Sequence, residues 1–202
     1  MKKILNLEKI PIKRNFFYQD TNKVAKDILG KLLIRETSQN IFLGRIVETE
    51  AYRGYDDPAS HAFRGKTKRN EIMFGKPGVL YVYFTYGNHY CLNIVTEKKG
   101  IAAAVLIRSI EPIQGIDKMK KNRGTDDLKK IANGPGKLTK AFQITLNENG
   151  LDVTKKSSYI KIYETNKSEE FKIIQTTRIG IRFAKEFPWR FYIQDNPYVS
   201  KK

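Results

Sequence analysis

A mixed α+β fold is expected: a single compact domain built on an antiparallel-rich β-sheet, with surrounding helices and a protruding β-hairpin. Three observations predict it. Stretches rich in β-branched and aromatic residues outnumber amphipathic ones. Few helical stretches separate consecutive strands, which disfavours the strand–helix alternation of parallel sheets. The 202 residues are 40% hydrophobic and 11% aromatic, enough for one sizeable core, and no repeat or Pro/Gly/Ser-rich linker divides residues 1–202.

In chain order, "TNKVAKDILGK" reads as a helix. Thr21 is its N-cap, Val24, Ala25, Ile28 and Leu29 are its apolar stripe, and Gly30 stops it. "KLLIRE" and "IFLGRIVETEAY" read as strands and "KTKRNEIMF" as a short helix. "VLYVYFTYGNHYCLNIV" reads as a hairpin turning at Gly87-Asn88. "IAAAVLIRSI" is a further strand, and Pro112 is expected to open a helix through "IQGIDKMKK". "NGPGKLTKAF" is a glycine loop leading into a helix, and the tail offers strands at "YIKIYE", "FKIIQ", "RIGIRF" and "WRFYI".

The charge is strongly unbalanced, at a formal +17. Blocks 1–40, 41–100, 101–140 and 141–202 carry +5, +3, +5 and +4, so this is not a neutral domain with a basic tail. "FRGKTKR" and "DKMKKNR" are local concentrations. Solvated lysines explain any one cluster. A global excess repels itself, and a polyanion such as nucleic acid offsets that repulsion. No apolar run approaches the roughly 20 residues of a membrane span, and "MKKILNLEKIPIKR" lacks the apolar centre of a signal peptide. One cysteine, Cys91, precludes an intrachain disulfide and suits a reducing compartment. With His61 and His89 it makes three N/S ligands, short of a four-ligand zinc site.

Three clusters could carry chemistry. In "GRIVETEAYRGYDDPASHAFRG", strand alternation puts Glu48, Glu50 and Tyr52 on one face. That face is either a polar exterior or a site. Asp56-Asp57-Pro58 reads as turn chemistry with no catalytic role. In the hairpin, Tyr81 and Tyr83 fall on one face and Phe84 and Tyr86 on the other, so one set of aromatics can face outward to stack on bases or wedge a duplex. Gly134, Gly136 and Lys137 of "NGPGKL" could form a phosphate nest, although a plain turn explains them equally well.

Together these stretches resemble the 3-methyladenine DNA glycosylases of the alkyladenine type. The matching motifs are "GRIVETEAY", His61, Arg69-Asn70, Met73-Phe74, "KPGVLYVYFTYGNHYCLNIV", "AVLIRSIEPIQG", "NGPGKL" and "RFYIQDNPYVS". They run from about residue 15 to the end in the family's order, with Tyr198 where Trp is common. The resemblance implies that Glu50 activates water beside Arg108. It implies that Tyr52 and His61 form one wall of a base pocket and Tyr83 the other, that Asn93 contacts the base edge, and that Tyr86 intercalates into the minor groove. Arg64, Lys66, Arg69 and Lys137 are candidate phosphate contacts.

The implied activity is base-excision repair: flipping and hydrolytic release of 3-methyladenine, with 7-methylguanine, ethenoadenine and hypoxanthine as further candidate lesions. No lysine stands in the Glu50 motif to form a Schiff base, so no lyase activity is expected. No cofactor or metal is implied. The expected partner is double-stranded DNA containing damaged purines, with no membrane. A monomer in a bacterial cytoplasm, held at the nucleoid by DNA, is expected. Two alternatives stay open: a non-catalytic double-stranded nucleic-acid-binding protein, and a metal-dependent nuclease using Glu48, Glu50, Asp56 and Asp57.

Overall fold

The computed structural model describes residues 10–85, 87–165 and 170–201. A curled antiparallel sheet of eight strands dominates, with four helices around it. The strands are β1 (Leu32–Glu36), β2 (Ile41–Arg53), β3 (Leu80–Thr85), β4 (His89–Val95), β5 (Ala103–Gln114), β6 (Ile160–Tyr163), β7 (Ile173–Thr176) and β8 (Arg190–Ile193). The helices are α1 (Arg14–Phe17), α2 (Thr21–Asp27), α3 (Ile116–Arg123) and α4 (Pro135–Phe142). The sheet runs β3-β4-β5-β2-β1-β6, and β8 pairs with both β2 and β7. The expected α+β domain and hairpin are both present.

β2 organises the sheet. Its 13 residues pair with β5 along one edge, while β1 and then β8 share the other. Three register shifts interrupt the β2–β5 ladder, one between Leu43 and Gly44 and two nearer the site. Val47 has no partner between the pairs Ile46↔Ile110 and Glu48↔Ser109, and Arg108 has none between Ser109 and Ile107. A bulge shifts the period-two alternation by one. Phe42 and Ile46 therefore face the main core before it, and Ala51 does so after it. Thr49 also points there and donates to the Ala25 carbonyl of α2 at 2.7 Å. Glu48, Glu50 and Tyr52 are left on the opposite face.

Several local expectations are corrected. Asp20, not Thr21, caps α2, its carboxylate accepting from the Lys23 N–H. Thr21 is buried and bonds to Thr96 and Glu97. Only Glu71–Phe74 of "KTKRNEIMF" is helical, as a single 3-10 turn. Pro112 opens no helix. β5 continues to Gln114, and Pro112 sits opposite Gly44 beside a register shift. β4 pairs with β5 only over Ala104–Leu106, so Pro112 lies on an edge where its missing N–H costs no ladder bond. "RIGIRF" is not a strand, because Gly180 and Ala184 take positive φ of 76° and 49°.

Gly44 is fixed by crowding. A Cβ there would stand 2.4 Å from Ile110 Cδ1 and 2.9 Å from the Glu111 carbonyl oxygen. Gly44→Ala is expected to destabilise the fold by about 1–3 kcal/mol through overpacking, read as a lower denaturant midpoint at unchanged slope.

Candidate active site

Register builds the site. Tyr81 pairs with Asn93, Asn93 with Leu106, Leu106 with Glu50, and Glu50 with Arg190. Directly paired residues share a face, so this row crosses five strands on the side away from α2. Above it lies a cavity of about 380 Å³, within the range of small-ligand sites. Tyr52, His61, Tyr81, Tyr83, Cys91, Asn93 and Arg108 line it, with Pro135 of α4 and the segment Ile179–Phe183.

Glu50 is fully buried one layer beneath that lining. Its Oε2 accepts from the Tyr52 hydroxyl at 2.8 Å. Its Oε1 accepts from the Ile179 N–H at 2.8 Å and lies 3.2 Å from the Arg108 guanidinium. A carboxylate offers about four lone-pair directions, and among the described residues three are engaged, leaving one on Oε2 without a donor.

Arg108 bridges Glu50 to Glu48, its Nε donating to Glu48 Oε1 at 3.1 Å. Glu48 is equally buried, and its acceptors are filled by Arg108, Ser109, Arg190, and the N–H and hydroxyl of Ser200. The bulge at Arg108 lets the adjacent Arg108 and Ser109 both reach it. Burial alone would raise the Glu48 carboxyl pKa. Arg108, Ser200 and Arg190 together hold it below the usual value. Burial likewise opposes the Arg108 charge, and Glu50 and Glu48 outweigh it and raise its pKa.

His61 packs edge-on against Tyr83, ring centroids 4.5 Å apart, and its Nδ1 lies 2.9 Å from the Tyr81 hydroxyl. It therefore extends the Tyr83 wall, not the Tyr52 wall as expected. Burial, then Arg69, lowers its pKa to about 4, so it is neutral near pH 7. Burial pushes the Tyr81 hydroxyl up to about 12, and the Tyr83 and Tyr52 hydroxyls upward too. Asn93 is buried and donates through Nδ2 to the Tyr81 carbonyl at 3.0 Å.

Of the candidate phosphate contacts, Arg64 and Lys66 are exposed. Arg69 lies 5.3 Å over the Tyr83 ring, which ties it to the pocket wall. Lys137 is partly buried and donates to Asn133 Oδ1 at 2.8 Å. Its pKa is lowered by burial and by neighbouring Arg123 and Lys130. Gly136 beside it is required, because a Cβ would meet the His89 imidazole at 2.8 Å. Tyr86 lies outside the described residues. Next to it Gly87 takes φ 71° with open space around it, and Phe84 is exposed.

Sequence reasoning missed groups that hold Glu48 and brace the surroundings of Glu50. Arg190 and Ser200 lay inside "RFYIQDNPYVS" without an assigned role. Arg178 gave no signal. It is buried, and it makes a two-pronged pair with Asp57 while donating to the Ala51 carbonyl. Asp57 does make the expected turn, accepting from the Ala59 N–H, and is also Arg178's counterion. Asp56 pairs with Arg53 at the surface. Each of the four carboxylates of the nuclease alternative is thus engaged by an arginine, Glu48 and Glu50 by Arg108, Asp57 by Arg178 and Asp56 by Arg53. Among the described residues no three His, Cys, Asp or Glu side chains gather as metal ligands.

Glu48→Ala would leave Arg108 and Arg190 buried without their shared counterion. A loss of about 3–5 kcal/mol is expected, as for one-sided removal of buried pairs, and chemical denaturation measures it. His61 gives a pH prediction. Its folded pKa of about 4 lies below the ordinary 6.5, so the unfolded chain binds the proton more tightly. Its contribution to stability is full above about 6.5 and is lost as pH falls towards about 4. Proton NMR should give the His61 ring a midpoint near 4, and His61→Gln should flatten stability across that window.

The methylpurine-DNA glycosylase family model matches residues 15–197. A protein of Carboxydothermus hydrogenoformans named "Putative 3-methyladenine DNA glycosylase" is 52% identical over 190 residues, spanning 94% of this chain and 98% of its own length. One of the same name from Prosthecochloris aestuarii is 50% identical over 190 residues, spanning 93% and 90%. Another from Francisella tularensis is 49% identical over 183 residues, spanning 90% and 94%. With its matching motifs gathered around one cavity, the chain belongs to the methylpurine-DNA glycosylase family.

Proposed function

We propose that this protein is a base-excision repair glycosylase. In this reading it flips 3-methyladenine and related damaged purines out of duplex DNA and hydrolyses the N-glycosidic bond with a water activated by Glu50. The observation that carries the reading is Glu50 itself: a fully buried carboxylate beneath an aromatic-walled cavity, with one lone pair unused.

The positive surface, +17 overall, suits phosphate contacts that set register without reading sequence. Tyr86, between β3 and β4 in the sequence, wedges into the minor groove as the nucleotide leaves the stack. Flipping costs a few kcal/mol, less for a weakly paired lesion, which favours damaged sites. The base enters between Tyr52 on one side and Tyr83 with His61 on the other, and Asn93 contacts its edge. An N3- or N7-alkylated purine is cationic, and each electron-rich ring face attracts it by about 0.5–2 kcal/mol. The neutral state of His61 adds no repulsion.

Glu50 then takes a proton from water as it attacks C1′, and its charge stabilises the oxocarbenium-like transition state. Arg108 lies 3.2 Å from Glu50, and Glu48 offsets part of the arginine's charge beside a cationic transition state. Among the described residues no lysine lines the cavity, in keeping with a monofunctional enzyme without lyase activity. The reading needs no metal or cofactor and takes one protein molecule per lesion in the bacterial cytoplasm.

The test is release of free 3-methyladenine from a methylated duplex in EDTA. Release that persists in EDTA and falls at least about a hundredfold in Glu50→Gln, the scale of lost general-base catalysis, is the expected result. Wild-type release by Glu50→Gln would overturn the mechanism. EDTA-sensitive strand cleavage without base release would favour a nuclease.

A further inference from the structure

A stacking wall needs only an aromatic ring, yet Tyr52 carries a hydroxyl, and that hydroxyl donates to Glu50 Oε2 at 2.8 Å. The ring is held from outside the cavity. The Arg178 guanidinium lies 4.6 Å over the Tyr52 centroid and 5.2 Å over that of Trp189. Arg178 is in turn clamped by Asp57, at 2.7 Å through Nη2, and by the Ala51 carbonyl at 2.9 Å. Neither Arg178 nor Asp57 exposes any side chain. The next residue, Ile179, gives its N–H to the other oxygen of Glu50. One buried ion pair therefore fixes two of the three donors around that carboxylate.

We propose that Tyr52 is a positioning residue for Glu50, its hydroxyl orienting the carboxylate so that one Oε2 lone pair remains for water, and that the Arg178–Asp57 pair holds Tyr52 and Ile179 in this arrangement. The inference rests on the glycosylase reading and deepens it. Binding the damaged base and aiming the general base become properties of one side chain. A base stacked on the cavity face of Tyr52 presses on a ring whose far face is already occupied by Arg178. Stacking therefore cannot displace the hydroxyl from Glu50.

The consequence is a pH signature. A hydrogen bond to an ionised carboxylate favours that form, so losing it moves the acidic limb of a rate that depends on the carboxylate to higher pH. The groups facing Glu50 are Arg108 from β5, Arg190 from β8, Cys91 from β4, Tyr52 and, through Arg108, Glu48 from β2, with Arg178 behind Tyr52. The arginines stay charged throughout. The Cys91 and Tyr52 pKa values are raised by burial, and the Glu48 pKa is lowered by its cationic partners despite burial. His61 faces the same cavity and titrates near 4, but only Glu50 bonds to the Tyr52 hydroxyl, so it is the change of the acidic limb in Tyr52→Phe that reports the hydroxyl's action on Glu50.

The experiment compares wild type with Tyr52→Phe in single-turnover release of 3-methyladenine from a methylated duplex across pH, with duplex affinity measured separately. The expected result is a rate lower by about tenfold at neutral pH, the scale of one hydrogen bond to a charged group. The acidic limb should move up by roughly one pH unit, with affinity unchanged because the ring remains. An unchanged rate and limb would overturn the proposal and leave the hydroxyl merely satisfied. Weaker affinity with a wild-type rate at saturating enzyme would overturn it as well.

Arg178→Lys keeps a charge for Asp57 but loses the planar fork and the stack. It should move the limb in the same direction, and thermal denaturation records any cost to the fold. A wild-type limb in that variant would remove Arg178 from the device. Glu50→Gln separates the two levels of inference. Normal excision by Glu50→Gln sinks the glycosylase mechanism itself, whereas an inactive Glu50→Gln beside a normal Tyr52→Phe sinks only the positioning role.

Discussion

Two carboxylates two residues apart on one strand face, both without solvent exposure, are the constraint on which the rest of the structure depends. Consecutive same-face positions on a strand stand about 7 Å apart, and ionised groups taken out of water at that spacing cost several kcal/mol each before compensation. Compensation must come from elsewhere in the chain. β5 supplies Arg108 and Ser109, β8 supplies Arg190, the terminal segment supplies Ser200, and the loop after β7 supplies the Ile179 N–H. Each partner lies at least 58 residues away in sequence. The requirement to neutralise Glu48 and Glu50 thus dictates where the last third of the chain runs. It explains why β8 pairs with the C-terminal half of β2 rather than extending the sheet at an edge.

The two acids share one face but not one role. Every acceptor direction of Glu48 is taken, so it serves as counterion and anchor. Glu50 keeps one direction open. Arg108 links them, and its charge is divided between the two. The four groups Glu48, Glu50, Arg108 and Arg190 sum to zero charge. A second buried pair, Arg178 with Asp57, ties the loop before His61 to the segment before the cavity rim. Both cavity walls are therefore anchored to ion pairs, and the aromatic side chains that face inward need no charge of their own.

What the sequence made legible follows from the range of each interaction. The alternation of Glu48, Glu50 and Tyr52 is local, and strand geometry alone put them together. The hairpin with Tyr81 and Tyr83 was legible for the same reason, and so were β1, β2 and α4. The bulges at Val47 and Arg108 were not. They leave no trace in propensity, and they are what turns both Arg108 and Ser109 towards Glu48. "RIGIRF" looked like a strand because its composition is β-prone, yet Arg178 and the Ile179 N–H are spent on Asp57 and Glu50, 121 and 129 residues away. Pro112 looked like a helix start because its position on a sheet edge is a tertiary fact. His61 was grouped with Tyr52 because they are near in sequence, whereas its bond to Tyr81 sets it against Tyr83.

The charge distribution gains a clearer meaning from the interior. The +17 surplus is an outside property, able to attract a phosphate backbone from any direction but unable to discriminate one base from another. Discrimination requires a site where charge is scarce. Around the cavity Arg108, Arg178 and Arg190 are matched by Glu48, Glu50 and Asp57, the histidine is neutral, and the tyrosines hold their protons. In the proposed reaction a cationic purine would meet ring faces, and the positive charge growing on the sugar would lie near a carboxylate whose partner arginine is already shared. Strong surface attraction and a compensated interior are therefore not in conflict. The first gathers any duplex, and the second lets a small electronic difference in one base decide the outcome.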